Sequence, residues 1–293
     1  MGHFRMNWRC AAGVRRTVTW LCGVTIGLST APTLAQAQTD SQIRLQQEML
    51  IWTTEYEGLA DGVVGPETIK AINKFQTRIG NPVTGRLTQE ETKELVKQGT
   101  LKRDRVGFRQ ETDNDAGVSV GIPLRLVPVR TKTKWGTHWY GREAGLAIDT
   151  LRFSADVTLD QLFERLRSIN NRTVAYERKV SNNWFVIAAF ERDAAVYVRA
   201  NVVVLPNEQS EIRGFSIWMS KDRPTDYQAI PPAMLSSFRS DTGTPTVSVS
   251  PAIPGSFPRL PHNPPPIPTA QAASSIGECF RGLGDCPAML TYR

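Results

Sequence analysis

The run Asp61–Gln76 (DGVVGPETIKAINKFQ) constrains the fold of this 293-residue chain more than any other stretch. It opens with an Asp-Gly pair, which is typical of a tight turn because glycine tolerates positive φ and aspartate can bond its own backbone. Gly65-Pro66 then predicts the start of a helix, since proline at the first helical position has no N–H to leave unsatisfied. Apolar residues recur at three- and four-residue spacing and predict one apolar helix face: Ile69, Ile72, Phe75 and Ile79.

This pattern resembles the peptidoglycan-binding repeat of bacterial cell-wall proteins, roughly D-G-x-x-G-x-x-T-x-x-A-hydrophobic-x-x-F-Q. The matching positions are Asp61, Gly62, Gly65, Thr68, Ala71, Ile72, Phe75 and Gln76. Upstream, Gln46-Gln47 and Leu50 match the family's Q-x-x-L. Downstream, residues 80–87 follow its G-L-P-V-T-G-x-L, with Asn81 in place of the usual apolar residue. The resemblance covers residues 41–99 and implies a three-helix module that binds peptidoglycan.

The predicted helices of this module run from Ser41 to Tyr56, from Pro66 to Ile79, and from Thr88 to Gly99. Leu45, Met49 and Trp52 share one face of the first helix. Thr88-x-x-Glu91 is a capping box and marks the third helix start. We therefore expect a small all-α three-helix bundle over residues 38–99, followed by a solvated linker at residues 100–105.

The N-terminal residues 1–37 have the pattern of a secretory signal peptide. Four arginines precede an apolar stretch from Val18 to Leu34, which ends in Ala-Gln-Ala. Cleavage there would lower the net charge from +7 to +3 because the four arginines leave with the leader. Such a mildly basic chain gives no indication of nucleic acid binding. We expect a periplasmic or secreted, wall-associated protein without stable membrane insertion after cleavage.

Residues 106–238 predict an α+β domain with an antiparallel sheet. The predicted strands are 121–124, 137–153 with a turn at 141–145, 184–190, 195–205 and 211–219, and the predicted helices are 158–166 and 231–238. Short hairpin loops between the last three strands indicate a meander. The order of elements is loosely similar to the PsbP/Mog1-like architecture, a likeness of fold and not of activity.

The C-terminal part changes composition. Residues 239–275 form a Pro-rich tract that cannot bury enough apolar surface to fold, so a disordered linker is expected. Residues 276–293 contain Cys279 and Cys286, which would be the two cysteines left after leader removal. An exported protein favours a disulfide between them, and its short loop would stabilise only the local segment.

No catalytic motif is found in the sequence, and no catalytic residue, metal site or cofactor is predicted. His138 has no partner histidine at ligand spacing, and burial is the favoured interpretation. Glu143 and Asp149 flank a predicted turn and could form an acid pair for glycan cleavage, although solvated loop carboxylates are the simpler explanation. The aromatic residues Trp135, Trp139 and Tyr140 could stack on a sugar ring or belong to the core, and the core is favoured.

Two functions remain open at this stage. The first is a non-catalytic envelope protein that binds peptidoglycan and presents its α+β domain to a periplasmic protein or ligand. The second is a peptidoglycan-modifying or proteolytic enzyme whose active site lies in residues 106–238. For the binding function, the resemblance places a groove near the turn at residues 61–62, with these candidate ligand contacts: Trp52, Tyr56, Asp61, Gly62, Gln76 and Arg78.

Overall fold

A computed structural model describes residues 32–154, 156–191, 194–222 and 225–240. Five α-helices occur there: α1 (Pro32–Trp52), α2 (Pro66–Arg78), α3 (Gln89–Arg105), α4 (Leu159–Arg167) and α5 (Ile230–Ser237), with a 3₁₀ helix at Thr225–Ala229. Most of the predicted leader and nearly all of the predicted tail, with Cys279 and Cys286, lie outside the described residues. Within them, no helix combines the length and apolarity needed to cross a membrane.

The first three helices form the predicted bundle. α2 starts after Gly65 with proline at its first position and buries one face, made of Thr68, Ala71, Ile72, Phe75 and Gln76. α3 starts with the predicted capping box, in which the Thr88 hydroxyl accepts from the Glu91 N–H and the Glu91 carboxylate accepts from the Thr88 N–H. These contacts satisfy amide groups that a helix start leaves open.

Several predicted helix details are wrong. α1 ends at Trp52 rather than Tyr56, and α3 continues through Gly99 to Arg105, so residues 100–105 are helical. Gly99 serves close packing instead of ending the helix, because a Cβ there would lie 2.8 Å from Met49 Sδ. The helix ends where Gly107 adopts φ +66°. Leu45 and Ile69 are exposed, since each lies at the edge of its helix's buried stripe.

Nine β-strands follow in the described residues: β1 (Phe108–Asp113), β2 (Val118–Pro123), β3 (Val129–Lys132), β4 (Thr137–Gly141), β5 (Leu146–Phe153), β6 (Arg172–Val180), β7 (Trp184–Glu191), β8 (Ala194–Val204) and β9 (Ser210–Ser220). β1 and β2 form a hairpin of their own. The other seven form one antiparallel sheet in the order β3-β4-β5-β9-β8-β7-β6. The expected antiparallel α+β architecture and the β7-β8-β9 meander are confirmed.

The two faces of the large sheet are covered by different elements. On one face, α4 packs its apolar stripe, including Leu162 and Phe163, over Phe185 and Ile187. The other face belongs to a second core that also includes α5, the β1–β2 hairpin and the helical bundle. Burial of these apolar side chains is the main favourable contribution to the fold.

The bundle and the sheet are joined by packing and hydrogen bonds. The rings of Trp52 in α1 and Phe108 in β1 meet edge to face, with centroids 5.0 Å apart. The Ala60 N–H donates to Ser236 Oγ at 3.0 Å, which fixes the α1–α2 loop to α5. Arg239, predicted as the first residue of the disordered tract, pairs its backbone with Ser119 of β2. The helical module is therefore docked on the sheet domain.

Candidate functional site

The predicted turn at residues 61–62 is held by a buried glutamine from α1. Gln47 Nε2 donates to Asp61 Oδ1 and to the Val63 carbonyl, both at 3.0 Å, while Gln47 Oε1 accepts from the Gly62 N–H at 2.8 Å. Asp61 Oδ1 also accepts from the Val63 N–H at 2.9 Å. Gly62 has φ +84°, a region that glycine adopts without steric cost. Asp61 and Gly62 thus shape the turn, and Gln47 is the residue that sequence reasoning left without a role.

Gln76 likewise holds the loop before α3 through hydrogen bonds of its side-chain amide. Its side chain is fully buried, and Oε1 accepts from the N–H groups of Thr84 and Gly85 at 2.9 and 3.2 Å. Its Nε2 donates to the Arg86 carbonyl at 2.9 Å and to Glu91 Oε2 at 3.2 Å. Every polar atom of this amide is used inside the module, which supports a structural role for Gln76.

The two aromatic candidates are also inside. Trp52 is 2% exposed and belongs to the core shared with the sheet. Tyr56 is buried, and its hydroxyl donates to the Leu59 carbonyl at 3.2 Å. Burial raises the pKa of Tyr56 above its ordinary value. Both rings are therefore enclosed by other residues of the protein.

Arg78 is the sequence-predicted contact that reaches solvent. Its side chain is 43% exposed, with Nε 2.5 Å from Glu55 Oε1 and the guanidinium 5.1 Å from the Phe75 ring centroid. The Glu55 side chain is 7% exposed, and its Oε2 has no hydrogen-bond partner among the described residues. Arg78 therefore balances a buried carboxylate, and its release would leave that charge unpaired.

A surface beside α2 was missed by sequence reasoning. Its exposed apolar side chains are Val63 (58%), Val64, Ile69 (42%) and Val83. Ile69 and Asn73 lie one turn apart and border Gly85: a Cβ on that glycine would lie 3.0 Å from Ile69 Cγ2 and 3.4 Å from Asn73 Oδ1. Asn73 Oδ1 is buried and has no hydrogen-bond partner among the described residues. We call this set (Val63, Val64, Ile69, Asn73 and Val83) the α2 face; it combines exposed apolar side chains with one buried acceptor that has no partner among the described residues.

A groove also lies where the bundle meets the sheet domain, beside the turn at residues 61–62. We call it the junction groove; it has a volume of about 620 Å³ and is lined by residues of α1, α3, β1, β2, α5 and their flanking loops, namely Arg44, Glu48, Ala60, Arg103, Phe108, Arg109, Gln110, Ser119, Ala233, Ser236, Ser237 and Arg239. Pockets for small ligands commonly span about 300–1,000 Å³. Four of its lining residues are arginines and one is a carboxylate.

The α+β domain buries one of its two acid candidates and exposes the other. Asp149 is 1% exposed within β5, and its Oδ1 lies 2.8 Å from His138 Nδ1 on β4. Burial raises the pKa of Asp149, while the hydrogen bond from His138 opposes that rise. Glu143 lies in the exposed turn between these strands, so the description of both acids as solvated loop carboxylates is wrong for Asp149.

The three aromatic candidates of the α+β domain are buried or half-buried. Trp139 is buried, which confirms its assignment to the core, and Trp135 is half-buried against Phe153 with ring centroids 6.2 Å apart. Tyr140 is half-buried and stacks on His138 at 5.2 Å. The described part of the chain has no cluster of three or more side chains suited to a metal ion.

Comparison with known protein families gives a match in the helical bundle. Residues 39–95 match the family described as "Putative peptidoglycan binding domain". The bundle is similar to a peptidoglycan-binding module along nearly its whole length. The matched span contains Gln47, Gln76 and the whole α2 face, whereas the α+β domain lies outside it.

Two solved structures are similar to this chain, the Saccharomyces cerevisiae Ran-binding protein Mog1p and a mutant of protein Mog1. Each is 12% identical, with 46% of this chain and 97% of that chain covered and a TM-score of 0.31. A likeness at this TM-score bears on no activity or partner. No curated protein matches the chain.

Proposed function

We propose that this protein is an exported, non-catalytic envelope protein that binds peptidoglycan through α1–α3 and presents its α+β domain to a periplasmic partner. The observation that carries the proposal is the family match over residues 39–95, which coincides with the folded bundle. The secretory pattern of residues 1–37 supports export. The buried position of Asp149, paired with His138, supports a structural role for the strongest acid candidate in the α+β domain.

The α2 face is the surface that we assign to the polymer. Sugar rings have apolar faces, and the exposed side chains of Ile69 and Val83 offer an apolar surface for them. A shallow surface of this kind gives modest affinity for one repeat unit. Retention at the wall then depends on many repeated sites within reach.

The experiment is sedimentation of the full chain with peptidoglycan sacculi, with muropeptide release measured in the same supernatants. We expect the protein to pellet and no muropeptide to appear. An Ile69→Ser/Val83→Ser double variant should bind about tenfold more weakly, because partial burial of two such side chains contributes about 1–2 kcal/mol. Val204→Ser is the matched control, since Val204 is equally apolar and exposed but lies at the end of β8.

Two results would contradict the proposal. A folded chain that stays in the supernatant would remove peptidoglycan from the account. Soluble muropeptides released by the wild type would favour an enzyme with its active site in residues 106–238 instead. Equal losses in the double variant and Val204→Ser would show that the α2 face is not the contact.

A further inference from the structure

The junction groove carries more positive charge than its own carboxylates balance. Arg103 lies 3.5 Å from Glu48, and Arg109 lies 3.4 Å from Asp104, so each has an ion-pair partner. Arg44 has no carboxylate partner in the described part of the chain. Arg103 Nε makes no hydrogen bond to a described residue, but it lies 3.5 Å from Asp104 Oδ1, at ion-pair distance. Among the described residues on the α1 and α3 side of the groove, Arg44 is therefore the arginine left without an acid.

The α5 side of the groove is also cationic. Arg239 donates to the carbonyls of Ser236 and Phe238 at 3.1 and 2.8 Å, and no described carboxylate pairs with it. Arg199 lies close by at 4% exposure, with its guanidinium 5.4 Å from the Phe238 ring centroid and 5.6 Å from that of Trp184. Burial lowers the pKa of Arg199 to about 10, and the charge of Arg239 adds to this effect. Two neighbouring arginines without an acid favour an anion beside them.

We propose that the junction groove binds carboxylate groups of peptidoglycan stem peptides, with Arg44 and Arg239 as the principal contacts. This inference rests on the proposed function and names the part of the polymer that the groove takes. Guanidinium groups suit the purpose because they donate two parallel hydrogen bonds to a carboxylate. Arg44 comes from the helical module and Arg239 from the end of the α+β domain, so the site needs both parts of the chain.

The test is calorimetric titration of the full chain with a soluble disaccharide-peptide. One arm uses the fragment with free carboxylates and the other the same fragment with those carboxylates amidated. We expect the acidic fragment to bind at least about tenfold more tightly, since hydrogen bonds to charged groups contribute about 1.5–3 kcal/mol each. The preference should shrink as salt is added.

Charge variants locate the contact. Arg44→Gln/Arg239→Gln should bring the preference for the acidic fragment to within about twofold. Lys93→Gln/Lys97→Gln removes the same charge from the exposed side of α3 and should keep that preference. Arg44→Gln alone should reduce the preference for the acidic fragment by about threefold. Because this single change breaks no described hydrogen bond, it keeps the test valid if the double variant misfolds.

The outcomes separate this inference from the proposed function. Equal binding of the two fragments, or a full preference kept by Arg44→Gln/Arg239→Gln, overturns the groove assignment even if the chain pellets with sacculi. An arginine-dependent preference in a chain that does not pellet supports the groove and overturns binding to the intact wall.

Discussion

Replacing Gln76 with leucine tests whether the motif glutamine holds the module together or touches the ligand. Leucine has a similar volume, so the change removes hydrogen bonds without opening a large cavity. The N–H groups of Thr84 and Gly85 lose their acceptor, and the Arg86 carbonyl and the Glu91 carboxylate lose a donor.

The loss of stability in Gln76→Leu depends on which of these groups water can reach. The loop at Thr84 is exposed and its N–H can be hydrated, whereas Gly85 is buried. An unsatisfied buried polar group costs about 1–3 kcal/mol, and the lost donor to Glu91 adds to it. We expect a loss of about 3 kcal/mol, which corresponds to a melting temperature lower by about 6–12 °C in a folded unit of about 200 residues.

The assay is urea unfolding at 25 °C, followed by sedimentation with sacculi under conditions where the variant is folded. Gln46→Leu is the control, because Gln46 makes no hydrogen bond through its side chain among the described residues and should change stability by less than about 0.5 kcal/mol. Affinity per folded Gln76→Leu molecule should equal that of the wild type. A variant of unchanged stability that no longer binds sacculi would refute the structural role.

Three further substitutions test the packing and the electrostatics. Gly141→Ala should destabilise the chain by at least about 3 kcal/mol in urea unfolding, because its Cβ would lie 1.7 Å from the Leu126 carbonyl oxygen. Gly65→Ala should change stability by less than about 0.5 kcal/mol, because a Cβ at that position has no heavy atom within 4 Å. Similar losses of stability in Gly141→Ala and Gly65→Ala would contradict the described geometry. The pKa of Glu91 is held below its ordinary value chiefly by a hydrogen bond from the amide at the start of α3, so its stabilisation is present above pH 4.5 and is lost as the pH falls through the lowered pKa. Glu91→Gln should flatten that acid limb of stability against pH, and an unchanged limb would exclude this carboxylate as its source.

Much of the fold follows from local pattern. The capping box at Thr88, the proline at the start of α2 and the β7-β8-β9 hairpins each depend on short-range chemistry, and each occurs in the structure. β3 and β6 were missed because they are edge strands of polar composition, in which Arg172, Glu177 and Lys179 stand where an apolar run would mark a strand. The third helix was predicted to end at Gly99 because, in a sequence, a glycine that lets two helices pack closely cannot be distinguished from a glycine that ends a helix.

The site was harder to predict because it depends on long-range contacts. Sequence reasoning chose Trp52 and Gln76 from their chemistry, yet burial decides whether such groups can meet a ligand, and both are enclosed. The junction groove could not be foreseen, because Arg44 and Arg239 are far apart in sequence and line the same groove only when α5 packs against α1. The sequence also cannot show that Asn73 Oδ1 lacks a hydrogen-bond partner among the described residues, because this depends on how the neighbouring loop packs.

The central claim is that the α1–α3 bundle is the part of this protein that binds peptidoglycan. Hydrogen exchange of the full chain, measured with and without soluble peptidoglycan, tests it most directly. We expect slower exchange over residues 61–88, around the α2 face, and unchanged exchange in β3–β9. Protection confined to the seven-stranded sheet, or none at saturating polymer, would contradict it.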